Sequence, residues 1–255
     1  MTDLDAPRPV TVRGVTLGTG APAVIVPLTA RTAADLLTAT APVVAAAPDL
    51  VEWRVDHLLA GGADLPAVVA AGRALVDALA GLPLLATIRT GAEGGELPMP
   101  GDDYLTVYRA LLDAGLPDLV DVELMHALAE PMTTAAHAAG VPVIASNHDF
   151  DGTPAQAEIE RRLLLMAERG ADVLKIAVMP HTPEDVLGLL AATVTVRRRV
   201  EQPVITMAMA GTGVVTRLAG GVFGSAATFG TVGAASAPGQ VEVEALRRTL
   251  ALIHG

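Results

Sequence analysis

The chain has 255 residues, 51% of them hydrophobic, no cysteine and a formal net charge of −11. Length and composition allow a large buried core, and zero cysteines exclude disulfides, thiolate metal sites and a cysteine nucleophile. The acidic balance argues against nucleic acid, whose phosphates ask for a basic face, and no apolar stretch reaches the length of a membrane span. The opening Met1-Thr2-Asp3-Leu4-Asp5 lacks the basic-then-apolar order of a signal peptide. A cytoplasmic protein is the expectation.

In chain order, residues 9–18 alternate around Gly14 and predict a hairpin that closes the bottom of whatever follows. Apolar or β-branched runs then predict strands at 24–28, 50–54, 84–88, 119–123, 141–146, 173–177, 204–209 and 222–228. Helical patterns separate them at 33–46, 65–80, 104–114, 131–139, 155–169 and 183–198, with a last one at 241–254. Between the seventh and eighth strands, 213–218 supplies a shorter helical turn. The cluster Arg197-Arg198-Arg199 ends a helical pattern, where cations suit the helix dipole, and reads as a cap and solvated face. Strand–helix alternation implies parallel strands with crossover helices. Eight such units at this length fit a closed (β/α)8 TIM barrel with the N-terminal hairpin under it. With no low-complexity linker, one domain over 1–255 is expected.

Of 17 Lys+Arg positions only Lys175 is lysine, and it sits inside the apolar run 171–180. A charge buried in a strand is costly unless it is compensated. Arginine supplies charge everywhere else in this chain, but its guanidinium does not deprotonate, whereas a desolvated lysine amine attacks carbonyls. At an ordinary pKa of ~10.4 only about one amine in a thousand is neutral at pH 7. Burial and nearby arginine charge, with Arg54 and Arg89 placed to supply it, are therefore expected around Lys175.

Residues two apart on a strand share a face. Glu52 and Arg54 therefore point together with Trp53 opposite, Val173, Lys175 and Ala177 share a face, Ser146 aligns with His148, and Met207 with Met209. Arg89 closes the third strand. Barrel sites lie at the C-terminal strand ends, where Glu52, Arg54, Arg89, His148 and Lys175 converge. The stretch 212–240 is rich in small residues, which suits a lid after the eighth strand with Ser236 and Gln240 as donors. Gly94-Gly95 reads either as a hinge or as a plain turn. The six histidines show no metal-ligand spacing, so no metal is expected.

The chain resembles type I 3-dehydroquinate dehydratases. The likeness rests on Glu52-Trp53-Arg54-Val55-Asp56-His57, on Arg89 with Glu93-Gly94-Gly95-Glu96, and on Ser146-Asn147-His148-Asp149-Phe150. It continues through Lys175-Ile176-Ala177-Val178-Met179-Pro180 and Thr206-Met207-Ala208-Met209. Beyond these come Arg217-Leu218-Ala219-Gly220, Val222-Phe223-Gly224-Ser225-Ala226-Ala227-Thr228-Phe229-Gly230 and Ser236-Ala237-Pro238-Gly239-Gln240. The resemblance implies cofactor-free dehydration of 3-dehydroquinate to 3-dehydroshikimate in the shikimate or quinate pathway, by a homodimer. It makes Lys175 the imine-forming residue, His148 the general base and acid, and Glu93 the carboxylate that orients the histidine. Arg217 would grip the substrate carboxylate, Glu52, Arg54 and Arg89 would meet ring hydroxyls, and Ser236 and Gln240 would act from the lid. Met207 would form a wall. Two positions depart from the family pattern: Pro27 stands where a substrate-touching serine is common, and Gly211 where a lysine precedes Thr212-Gly213. Losing the serine contact would cost about 1 kcal/mol.

Two other readings remain open. An aldolase or transaldolase acting on a sugar phosphate would need a phosphate cradle, for which Gly211-Thr212-Gly213 is a weak match. A catalytically dead barrel used for binding has no reason to keep Lys175, His148 and Glu93 together.

Overall fold

The computed structural model describes residues 8–233 and 236–255. The acidic opening Met1 to Asp5, and Ala234 and Ala235 of the small-residue stretch, lie outside the described residues. Strands β1 (Val10–Val12) and β2 (Val15–Leu17) form the expected antiparallel hairpin. Arg13 and Gly14, both left-handed, make its turn, the backbone that a two-residue hairpin connection favours.

Eight parallel strands follow: β3 (Ala23–Leu28), β4 (Leu50–Arg54), β5 (Leu84–Thr87), β6 (Leu119–Glu123), β7 (Val143–Asp149), β8 (Val173–Val178), β9 (Val204–Ala208) and β10 (Ala227–Thr231). They pair in chain order, β10 returning to lie beside β3. Between β9 and β10 the ring is closed by a parallel bridge from Val204 to Ser225. There the Ala226 amide donates to the Val204 carbonyl at 2.7 Å, and the Ser225 hydroxyl accepts from the Thr206 amide at 3.2 Å. A short ninth strand, β11 (Val241–Glu242), adds to the outer edge of β10.

The helices are α1 (Ala33–Ala45), α2 (Val55–Ala60), α3 (Leu65–Ala78), α4 (Asp102–Asp113), α5 (Ala129–Ala138), α6 (Gln156–Glu168), α7 (Pro183–Arg197), α8 (Ala210–Ala219) and α9 (Val243–His254). Several starts are written locally. Thr32 and Asp64 cap α1 and α3, and Thr182 with Asp185 makes a capping box on α7, each satisfying amides that lack intrahelical partners. Outward strand residues pack under the helices. Inward residues at the N-terminal strand ends, including Ile25, Leu50, Leu85, Leu119, Ile144, Val173 and Ile205, form one apolar layer that the fully buried Leu17 of the hairpin plugs from below. Among the described residues no helix is long and apolar enough to cross a membrane.

The eighth strand corrects the sequence expectation. Residues 220–223 form a 3-10 turn, with Val222 exposed, and the strand starts only at Ala227. The apolar Val222-Phe223 pair sits in that turn, while the strand itself, Phe229 apart, is made of small residues without alternation. The helix before it is also longer than expected, running over Ala210–Ala219, and α2 was not anticipated because it follows Arg54 without any break signal.

Candidate active site

The same strand alternation that builds the apolar layer places polar groups two and four residues further along. Glu52, Arg54, Arg89, Glu93, His148, Lys175, Met207, Arg217, Ser236 and Gln240 all line one cavity of about 110 Å³ at the C-terminal end of the barrel. Trp53 points the other way, its ring so close to α3 that a Cβ on Gly72 would lie 2.9 Å from it.

Lys175 is buried, and its Nζ lies 2.8 Å from Asp121 Oδ2, 3.8 Å from Glu52 Oε1 and 4.6 Å from the centre of the Phe229 ring. Asp121 is completely shielded from solvent. Burial alone would raise its pKa, but Arg89 and Lys175 hold it well below the usual carboxylate range. Its other oxygen accepts from Arg89 Nη2 at 2.7 Å and from the Ser146 hydroxyl at 2.5 Å.

The expected arginine environment of Lys175 is corrected here. Arg54 is engaged with Asp56 through two bonds of 2.8 and 2.7 Å. Arg89 is held by Asp121, by Glu123 at 3.1 Å and by Glu93 at 3.4 Å. The groups next to the amine are carboxylates. Asp121 and Glu123 were missed, although they alternate on β6 as Glu52 and Arg54 do on β4, and that pattern was the signal that could have found them.

Glu93 and His148 form the second cluster. Glu93 Oε2 accepts from His148 Nδ1 and from the His148 amide, each at 2.9 Å, and Oε1 accepts from Asn147 Nδ2 at 2.9 Å. With Nδ1–H donated to the carboxylate, Nε2 is the basic nitrogen. Burial, reinforced by Arg89 and Lys175, pushes His148 well below its ordinary value, so the ring is neutral at neutral pH. Burial pushes the Glu93 carboxyl up to about 7 against the opposing pull of Arg89. Gly94-Gly95 is a tight turn. Gly94 is left-handed, and a Cβ there would come within 2.5 Å of the Phe150 ring; one on Gly95 would come within 1.9 Å of the Arg89 carbonyl oxygen.

Arg217, on α8, is 2% exposed. Its Nη1 lies 3.6 Å from Met207 Sδ and its Nη2 donates to the Pro238 carbonyl at 3.3 Å, while buried Nε has no partner among the described residues. Among the described residues no carboxylate pairs with it, and burial pushes it down to about 10. A guanidinium has five donors, so this one is an open slot for an anion beside Lys175 and His148.

A family model of type I 3-dehydroquinase matches residues 24–255. The chain belongs to that family. Membership makes it an enzyme, a carbon–oxygen lyase of the hydro-lyase kind. It is 48% identical to a 3-dehydroquinate dehydratase of Lactiplantibacillus plantarum, over 94% of this chain and 95% of that protein. Among solved structures, a type I 3-dehydroquinate dehydratase from Clostridium difficile, with covalent modified comenic acid, superposes with a TM-score of 0.93 at 40% identity, covering 97% of this chain and 98% of that one. A 3-dehydroquinate dehydratase from Geobacillus kaustophilus gives a TM-score of 0.93 at 35% identity, covering 97% of each chain.

Pro27, the Gly211-Thr212-Gly213 turn and the segment 236–240 each have a clear place. Pro27 pairs in register with Glu52 and shares the inward face of β3 with Ile25. Gly211-Thr212-Gly213 lies inside the first turns of α8, where a Cβ on Gly213 would come within 2.4 Å of the Ala208 backbone. Close helix–strand packing thus accounts for that glycine without a phosphate. Ser236 and Gln240 bond each other: the Ser236 amide donates to Gln240 Oε1 at 2.8 Å, and Gln240 Nε2 donates to the Ser236 hydroxyl at 2.9 Å. The Ala210 amide donates to the Pro238 carbonyl at 3.1 Å, seating this segment beside Arg217. Among the described residues no three His, Asp or Glu side chains are grouped to hold a metal ion.

Proposed function

We propose that this chain converts 3-dehydroquinate to 3-dehydroshikimate through an imine on Lys175. The observation that carries the reading is the buried Arg217, paired with no carboxylate among the described residues, lining the same cavity as Lys175 and the Glu93–His148 pair. Arg217 takes the substrate carboxylate with its planar fork of donors. Lys175 attacks the C3 ketone, and the protonated imine accepts the electron pair when His148 Nε2 removes a C2 proton, giving an enamine. The imidazolium, stabilised by Glu93, then returns that proton to the C1 hydroxyl as it leaves as water. The electron pair moves on to form the new double bond, and hydrolysis of the imine frees the amine. Glu52, Arg54 and Arg89 meet the ring hydroxyls, Met207 packs against the ring, and Ser236 and Gln240 exchange their mutual bonds for substrate.

In this reading residues 1–255 act as one domain, cytoplasmic and homodimeric, needing no cofactor, within the shikimate or quinate pathway. The test is direct. The protein is mixed with 3-dehydroquinate, the enone absorbance of the product is followed, and the mixture is reduced with borohydride and mapped by mass spectrometry. Turnover with an adduct on Lys175 is expected. An adduct elsewhere overturns the residue assignment, and turnover with no adduct overturns the imine.

A further inference from the structure

The chemistry proposed above says what the lysine amine must do but leaves its deepest neighbour without a task. Asp121 is fixed from one side only: Oδ1 accepts from Arg89 and Ser146, whereas Oδ2 is bonded to Lys175 Nζ. It sits below the cavity and does not line it. Its reach is therefore to the amine and not to substrate hydroxyls.

Imine formation has a fixed hydrogen balance. The ammonium carries three hydrogens. One moves off before the amine attacks, the C–N bond forms as the carbonyl pair moves to oxygen, and that oxygen leaves as water carrying two hydrogens. The iminium nitrogen keeps the third, and the single positive charge is unchanged. That remaining N–H needs one acceptor, and Asp121 Oδ2 at 2.8 Å is already in place, while Glu52 stands off at 3.8 Å.

We infer that Asp121 is the counter-ion that keeps the Lys175 imine protonated, and so keeps it an electron sink, through the reaction. The inference rests on the imine reading. Other charged groups around the nitrogen come from every side: Glu52 and Arg54 on β4, Arg89 and Glu93 in the segment after β5, Glu123 on β6, His148 on β7 and Arg217 on α8. Of these the cations are like charges to the iminium, and each carboxylate other than Asp121 is further away or committed elsewhere.

The single lysine makes the test specific. Protein grown with Nζ-labelled [15N]lysine and loaded with 3-dehydroquinate carries one labelled imine nitrogen, whose shift and one-bond proton coupling report its protonation. The proton is expected to stay on nitrogen between about pH 6 and about pH 9, although an imine nitrogen is intrinsically less basic than a free lysine amine of pKa ~10.4. Loss of the coupling within that span overturns the inference, and this measurement needs no variant. In Asp121→Asn, kcat is expected to fall about 100-fold, with the labelled adduct still formed at low pH and its proton lost as pH rises. A variant within about threefold of wild type, or one whose imine stays protonated throughout, overturns it. A wild-type chain that forms an adduct but fails this pH test loses only the counter-ion role; one that forms no adduct loses the imine itself.

Discussion

The two ends of the barrel are built from the same strands and by opposite rules. At the N-terminal end, Leu50, Leu119, Ile144 and Val173 point inward and Leu17 seals them from below, a layer held by apolar burial. Two residues further on, the same strands present Glu52, Asp121, Ser146 and Lys175 on the same face, all buried. Burying charge costs free energy that pairing only partly returns. The lower layer therefore supplies stability, and the upper layer uses it to hold groups poised for chemistry. Arg217 marks the extreme, a buried cation with no charge partner among the described residues. Substitutions at the two ends should separate stability from activity.

The largest effect is expected at the top. Lys175→Met should reduce turnover of 3-dehydroquinate by about 10⁴-fold or more, as loss of a covalent nucleophile does, and abolish the borohydride adduct while circular dichroism stays native. A variant retaining a tenth of wild-type activity would break the assignment of the amine.

Arg217→Met should lower kcat/KM by about 10³-fold, with most of the loss in KM, since a charge-assisted bidentate contact is removed. The same change should raise Tm. Burial pushes the guanidinium well below the ordinary arginine range, to about 10, which corresponds to a cost on the order of 3 kcal/mol for keeping the charge buried. A variant that lost Tm along with activity would place Arg217 among the structural groups and erase the contrast.

At the bottom the signs reverse. Leu17→Ala should cost about 2 to 5 kcal/mol of stability by opening a cavity under the barrel, measured by urea unfolding, with kcat within about twofold of wild type. A large drop in kcat at full folding would show that the two ends are coupled.

The smallest effect concerns pH. Unfolded histidine gains a proton below 6.5 whereas native His148 resists it, so this group makes stability fall as pH falls through that value. Native Glu93 takes up a proton from about 7 downward, whereas the unfolded carboxyl does so near 4.5, so this group makes stability rise as pH falls across the same range. The two oppose each other, and the wild-type Tm should change little between these values. Glu93→Gln removes the second contribution and should expose a Tm that declines in acid. A wild type that declines as steeply as the variant would separate the pair.

Much of this was legible from residues alone. Parallel strands covered on both faces read as apolar runs, so seven of the eight barrel strands lay where expected, and the ten candidate site residues do line one cavity. The eighth strand was misplaced because Ala227-Thr228-Phe229-Gly230-Thr231 is made mainly of small residues and carries no periodic signal. Asp56, Asp121, Glu123 and Asn147 passed unnoticed because each does its work on another side chain, and that partner lies 2 to 54 residues away along the chain.

Local alternation along each strand determined which side chains point into the barrel, since a two-residue period is a property of the extended backbone. It also singled out Lys175, because one amine among arginines is visible without coordinates. Only closure of the barrel decided which charge meets which. Asp121 rather than an arginine faces the amine, and Arg217 meets no carboxylate among the described residues, because those pairings depend on distances between strands that are far apart in the chain.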